Sequence, residues 1–444
     1  MNFGSLTKFQ LFFLGGLVIA IVAAISVFAL NKASNSGQNV SVTIWGTIPS
    51  VTMQTFLQRG EIKAALDAKK VAVVYLAKAP ETFDQDVVEA IAAGQGPDAV
   101  MISQDAALQY LDKIIQIPYT SFSERTFKDS YIQEAELFLT PQGIEALPFT
   151  VDPIVMYWNR TLFANAGISN PPTSWSQLYG PDGAIAKINK VDINHNILKT
   201  SLALGTYDNV SHAKEILSLL MFQAGTPIVE IDSTNGVLKS ALTGSNSSTV
   251  TNGATAALSF YTQFADPAKS LYSWNTALPL SRDAFAAGDL ALYFGYASEL
   301  SNLYARNPNL NFDVAPMPQS LTSSANLTYG KVTGLAILRS ASNITATANA
   351  FVALTTSAAQ AVWSDVSGFP PVTRDLLALK PSSPFVSVFY TAALQSQGWL
   401  DPNRSVTNSI FGDMVGSVLS GGKRPEEAVT DANSRLSQLF SNRN

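Results

Sequence analysis

The stretch Ala146–Leu178, reading ALPFTVDPIVMYWNRTLFANAGISNPPTSWSQL, constrains the fold more than any other part of the chain. Phe149, Val151, Ile154, Val155, Met156 and Tyr157 are mostly β-branched or aromatic and suit extended backbone. Pro148 and Pro153 lack an N–H, so a central ladder should exclude them and a bend is expected around Asp152. A helix is predicted over 161–166, stopped by Gly167. A second is predicted to open at Ser174, where Gln177 completes an S-x-x-Q capping box. The pattern is strand, bend, strand, helix.

The rest of the chain reads as alternating strands and helices. Val40–Trp45 alternates as VSVTIW and Val71–Leu76 supplies a second strand. Thr82 opens a helix with Phe83, Val87 and Ile91 on one face, and Gly94 ends it. Gly94-Gln95-Gly96-Pro97-Asp98 is not a dinucleotide loop, because the third glycine is absent and the glycines end a helix where that motif leads from a strand into one. A strongly apolar helix is expected over 213–224, buried on more than one side.

The order Pro148-Phe149, Asp152, Tyr157-Trp158-Asn159, Leu162-Phe163, Gly167-Ile168, Pro171-Pro172 and Ser174-Trp175 resembles the central segment of the maltose-binding-like extracellular solute-binding proteins of ABC importers, family 1. Further resemblances lie in Gly94–Met101, in Phe285–Gly295, in Asn311–Pro318, in Gly368–Val372 and in the closing helix near Pro425–Leu439. The resemblance spans about Val40 to Phe440. It implies an α/β, two-lobed periplasmic-binding-protein fold of type II. Three interlobe crossings are then expected, near Val151-Asp152, Phe312–Pro316 and Phe369–Val372. Lobe 1 would comprise 40–151 with 316–367, and lobe 2 would comprise 152–315 with 368–444.

Phe9–Leu30 holds no charged residue, and Leu11–Leu30 supplies the ~20 residues that cross a bilayer. Val27–Asn31 offers no convincing A-x-A-like cleavage site, so residues 1–31 are read as a cytoplasmic stub and one N-terminal transmembrane helix. Residues 32–39 are then a polar linker, with the binding domain on the extracytoplasmic side. Cysteine is absent, so neither a lipidated cysteine nor a disulfide can tether or staple the fold.

Charged residues make up only 14%, net charge is −5, and no basic run exceeds two residues, which argues against a nucleic-acid partner. No G-x-S-x-G, H-E-x-x-H or P-loop occurs, and the histidines are His195 and His212 alone. Asp192–Asn196 mimics the start of a calcium loop, but Ile197 stands where glycine is needed and Ala203 where a bidentate glutamate is needed. Neither metal nor cofactor is expected. Asp105 and Asp152 could serve a glycosidase, yet carboxylates that bind sugar hydroxyls read identically in sequence.

The function expected is capture of a small neutral solute, a sugar, between the lobes and its delivery to ABC permease subunits. The alternative is a surface sensor or adhesion receptor on the same fold. Six residues are expected to converge on the ligand: Thr47 after the first strand, Ser103 and Asp105 above the third, Asp152 at the crossing, Tyr296 in place of the family's tryptophan, and Trp399 as an exposed wall. Acceptors and donors for hydroxyls with an aromatic face suit a sugar ring.

Overall fold

The computed structural model describes residues 39–193, 196–232, 237–244, 252–321, 323 and 325–441. Its main strands are β1 (Val40–Gly46), β2 (Val71–Ala77), β3 (Ala99–Ser103), β4 (Leu147–Asn159), β5 (Ile197–Leu202), β6 (Leu290–Tyr296), β7 (Phe312–Ala315) and β8 (Thr328–Leu338). They join one sheet in the order β2-β1-β3-β8-β4-β6-β5, with β7 also paired to β4. The helices that matter below are α1 (Ala213–Gln223), α2 (Pro384–Leu394), α3 (Arg404–Leu419) and α4 (Pro425–Ser441).

Two separate cores form on this sheet. The first gathers Val42, Phe56, Val100, Phe149, Val151, Val332, Ala336 and Trp363. The second gathers Ile154, Tyr157, Leu217, Phe264, Leu292, Phe411 and Leu436. Burial of apolar side chains at ~25 cal/mol per Å² stabilises each one separately. Helix α1 lies deep in the second core and is buried almost all round, as its composition predicts.

β4 runs unbroken through both cores, passing from Val151 in the first to Ile154 in the second. Pro148 and Pro153 therefore lie inside a strand, contrary to the reading of the sequence. The register with β8 slips between Thr333 and Gly334, near Pro148, and β6 begins to pair only at Ile154. The ladder is irregular or one-sided where each missing N–H falls.

The second crossing is displaced from Phe312–Pro316. Val314, Ala315 and Met317 pack in the second core, and β7 pairs wholly with the second half of β4. The return passage is β8, between Tyr329 in the second core and Val332 in the first. The third is displaced as well, because Val372 and Leu377 are still in the first core while Phe389 of α2 is in the second. Residues 316–329 thus group with lobe 2 and 368–377 with lobe 1. The proline after β7 ends a strand without changing lobes.

At the return passage Gly330 leaves room for a buried carboxyl. A Cβ there would collide with Glu134, and one at Gly398 would do the same. Glu134 is 4% exposed with both oxygens lacking hydrogen-bond partners, and burial pushes its pKa up to about 8.

Local signals resolve in detail. Asn159 caps the helix Arg160–Asn165 by accepting from Leu162 N, and Gly167 follows at φ +70°. The Ser174 box becomes a short 3-10 turn, Trp175–Leu178, in which Gln177 Oε1 accepts from Thr173 N at 2.7 Å. Asp98 is a clamp: one oxygen accepts from Thr43 N and the other from Ser342 N and Oγ, all at 2.7–2.8 Å. Both carboxylate oxygens of Asp192 accept from Asn196, which closes an ordinary turn; His195, beside it, lies outside the described residues. Among the described residues no helix is long and apolar enough to cross a membrane. The anchor expected over Leu11–Leu30 lies outside them.

Candidate functional site

Where β4 and β8 cross between the cores, they build the floor of a cleft. Asp152 pairs across the sheet with Lys331, and Thr150 with Thr333. The period of two turns these four side chains to one face, while Val151 and Val332 turn into the first core. The cavity above this floor has a volume of about 400 Å³. The loop after β1 (Thr47, Ile48, Pro49) and Met101 wall it from the first lobe. Ser298 and Ser301, beyond β6, wall it from the second. Phe369 is its aromatic edge. Most of the lining groups are hydroxyls.

Asp152 Oδ1 accepts from Ser298 N at 3.0 Å, which ties the crossing strand to the second lobe. Burial pushes its carboxyl up to about 6, only partly offset by the Ser298 hydrogen bond and Lys331. Behind Ser298, Glu299 accepts from Tyr293 Oη at 2.6 Å and pairs with His212 Nε2. Burial opposes ionisation of Glu299, but His212 beside it holds the carboxyl below its usual range.

Asp105 sits in a different setting. Ser103 Oγ donates to its Oδ1, Arg404 Nη2 donates to the same oxygen at 3.1 Å, and Arg404 Nε lies 2.9 Å from Oδ2 without hydrogen-bond alignment. Lys331 Nζ stands 4.0 Å away. Burial works against the charge, but Lys331 and Arg404 outweigh it and hold this carboxyl well below the ordinary range. Arg404 opens α3, whose Ile410, Phe411 and Met414 pack in the second core, so this ion pair bridges the lobes.

Of the six residues expected at the ligand, Thr47 and Asp152 line the cavity. Ser103 and Asp105 form the neighbouring bridge. Tyr296 is half-buried, edge-on to His212 with ring centroids 4.7 Å apart, and its carbonyl accepts from Tyr157 Oη at 2.8 Å. Trp399 is no exposed wall. It is 4% exposed, stacked on Phe411 at 6.1 Å, with Lys214 Nζ 5.6 Å from its ring centroid. Lys214 in turn pairs with buried Asp401 at 2.9 Å, so the tryptophan sits where the polar stretch around it folds inward.

Sequence reading missed Lys331 and Arg404. A lone lysine within the apolar run Thr328–Leu338 was a visible signal, since a charge on a central strand needs a cleft or a partner. Arg404 gave none beyond its place after Asn403, which caps α3.

Residues 62–387 match the bacterial extracellular solute-binding proteins, a span well over half of the chain. The chain belongs to that family. This is a family of binding proteins, not enzymes. A relative from Brucella abortus (strain 2308), named as a binding protein, is 21% identical over 334 residues, covering 73% of each chain. Among solved structures, the fold is similar to a cyclo/maltodextrin-binding protein complexed with maltotetraose (TM-score 0.71, 16% identity, 91% of this chain and 98% of that one). It is also similar to an ABC transporter solute-binding protein of Thermotoga lettingae TMO bound with α-D-tagatose (TM-score 0.66, 18% identity, 90% and 100%). As a solute-binding protein, the chain carries its cleft where the two cores meet.

Proposed function

We propose that this solute-binding protein captures a small neutral sugar in the cleft floored by Asp152, Thr150, Lys331 and Thr333, and delivers it to an ABC importer. The observation that carries this reading is the cavity itself: hydroxyl-rich, between two cores, with one carboxyl, Asp152, whose bond from Ser298 N leaves further acceptor positions to offer. A carboxylate accepting from a ligand hydroxyl in such a place contributes ~1.5–3 kcal/mol. The sugar-bound proteins of the same fold support the ligand class. Closure follows by bending at Asp152–Pro153 and Gly330–Lys331, where two strands change cores. The apolar run Leu11–Leu30 tethers the domain outside the membrane.

A thermal-shift screen against sugars, polyols, amino acids and peptides tests the ligand class. A sugar at 100 times its dissociation constant should add ~2.7 kcal/mol to unfolding. Stabilisation by amino acids or peptides alone would sink the sugar reading. Fractionation tests the tether, which fails if the mature chain begins after Leu30 and is released without detergent.

A further inference from the structure

A second interlobe cavity of about 690 Å³ is larger than the cleft and shares no lining residue with it. Leu139 and Glu145 wall it from the first lobe, Ile231, Leu238 and Phe440 wall it from the second, and Leu108 packs across onto the second core. Leu139 packs against the first core, Leu238 against the second, and Phe440 within the second, so both lobes wall the cavity. Ile231 is 68% exposed, an apolar surface left open to water. Apolar side chains make up the larger part of the lining.

Gln109, Asp112, Gln116, Thr140 and Gln142 also line the cavity, and among its polar side chains Glu145 is the one that is buried with an unpartnered oxygen. It is 3% exposed, and its Oε2 meets no hydrogen-bond partner. Burial pushes its carboxyl up to about 8. The other acid on the lining, Asp112, already holds Lys113 at 2.6 Å, and no basic side chain lines the cavity. An unpartnered buried carboxyl costs stability, and an incoming ammonium would supply a charge-assisted hydrogen bond that favours the ionised form.

We propose that this cavity is a second ligand site, taking a small apolar molecule with a protonated amine that pairs with Glu145. Because both lobes wall it, a ligand there that prefers one lobe arrangement shifts affinity at the cleft, and a cleft ligand shifts affinity here by the same factor. The site stands independently of what the cleft binds.

Titration calorimetry of the full chain with 2-phenylethylammonium chloride at pH 7 tests it, with 2-phenylethanol as the uncharged comparator. The expected result is saturable binding of the amine, at least tenfold weaker binding of the alcohol, and at least tenfold loss for the amine in Glu145→Gln. Leu238→Trp, at a half-buried position on the rim, fills the cavity and should abolish both signals; it decides the matter if Glu145→Gln does not fold. Parent-like titration by both variants, or no saturable binding, overturns the site. An alcohol that binds as tightly as the amine overturns the role of Glu145. Concentration-dependent self-association that Leu238→Trp removes would show a second copy of the chain to be the occupant, and overturns the small-molecule assignment.

Discussion

Asp152 lines the cleft and Asp105 stands in the bridge beside it, with Lys331 near both; the same desolvation acts on both, yet they end in opposite states. At Asp105 two cations are in place before any ligand arrives, so the charge is kept and its lone pairs are spent on Arg404 and Ser103. At Asp152 one backbone N–H is the direct partner, so burial wins and the carboxyl rises to about 6. A buried carboxylate is a ligand-binding group only where its partners are fewer than its acceptor sites. The first is a bridge between lobes; the second keeps acceptor positions unfilled.

The largest effect is expected at Trp399, which packs in the second core against Phe411 and Lys214. Trp399→Ala removes a fully packed ring and should cost ~3–5 kcal/mol of stability in chemical denaturation. Intact stability with lost binding would return the tryptophan to the ligand. Next in size, Asp152→Ala should weaken sugar binding ten- to a hundredfold with the circular dichroism unchanged. Parent-like affinity there removes the acceptor role. Asp105→Ala leaves Arg404 and Lys331 unmatched, but the arginine is 39% exposed and solvent screens it, so ~1–2 kcal/mol of stability is expected. If this variant loses more binding than Asp152→Ala at unchanged stability, the two carboxylates have been assigned the wrong way round.

The smallest effect is in pH. Folded Asp152 binds its proton more tightly than the unfolded chain does, with its pKa raised from 3.8 to about 6. The folded state therefore holds the extra proton between those values, and the Asp152 contribution makes stability fall as pH rises through that window. Sugar affinity should move the other way, rising several-fold from pH 5 to 7.5 as the acceptor ionises. Titrations across that range on the parent and on Asp152→Asn check it, and the variant should be flat.

Much of this architecture was legible in the chain. The alternation in Val40–Trp45, the Gly94–Asp98 helix end and the strand through Tyr157 each report a local preference that the fold keeps. Asp152 and Thr47 reached the cavity because they sit at strand ends or crossings that the sequence marks. The errors share a cause. Whether β7 or β8 carries the chain back depends on which core its apolar face meets, and Trp399 is buried only because Phe411 and Lys214, far apart in sequence, close over it. The Asp105 bridge likewise needs Arg404 from the far end of the chain. Local pattern cannot encode a partner that arrives by tertiary contact.

The strand order also sets a timetable for synthesis. β3 pairs with β1 on one side and, along Ala99–Ser103, with Thr333–Ile337 of β8 on the other. Everything between Ile154 and Tyr329 that builds the second core leaves the ribosome before that partner exists. An emerging first lobe therefore carries an open strand edge and an unfinished hydrophobic layer until β8 is made. The second lobe's interior also waits for α3 and α4 at the very end. Pairing across such separations is slow. A chain of this design is expected to depend on holdase chaperones while nascent, and to lose the core of its second lobe when truncated near its last helix.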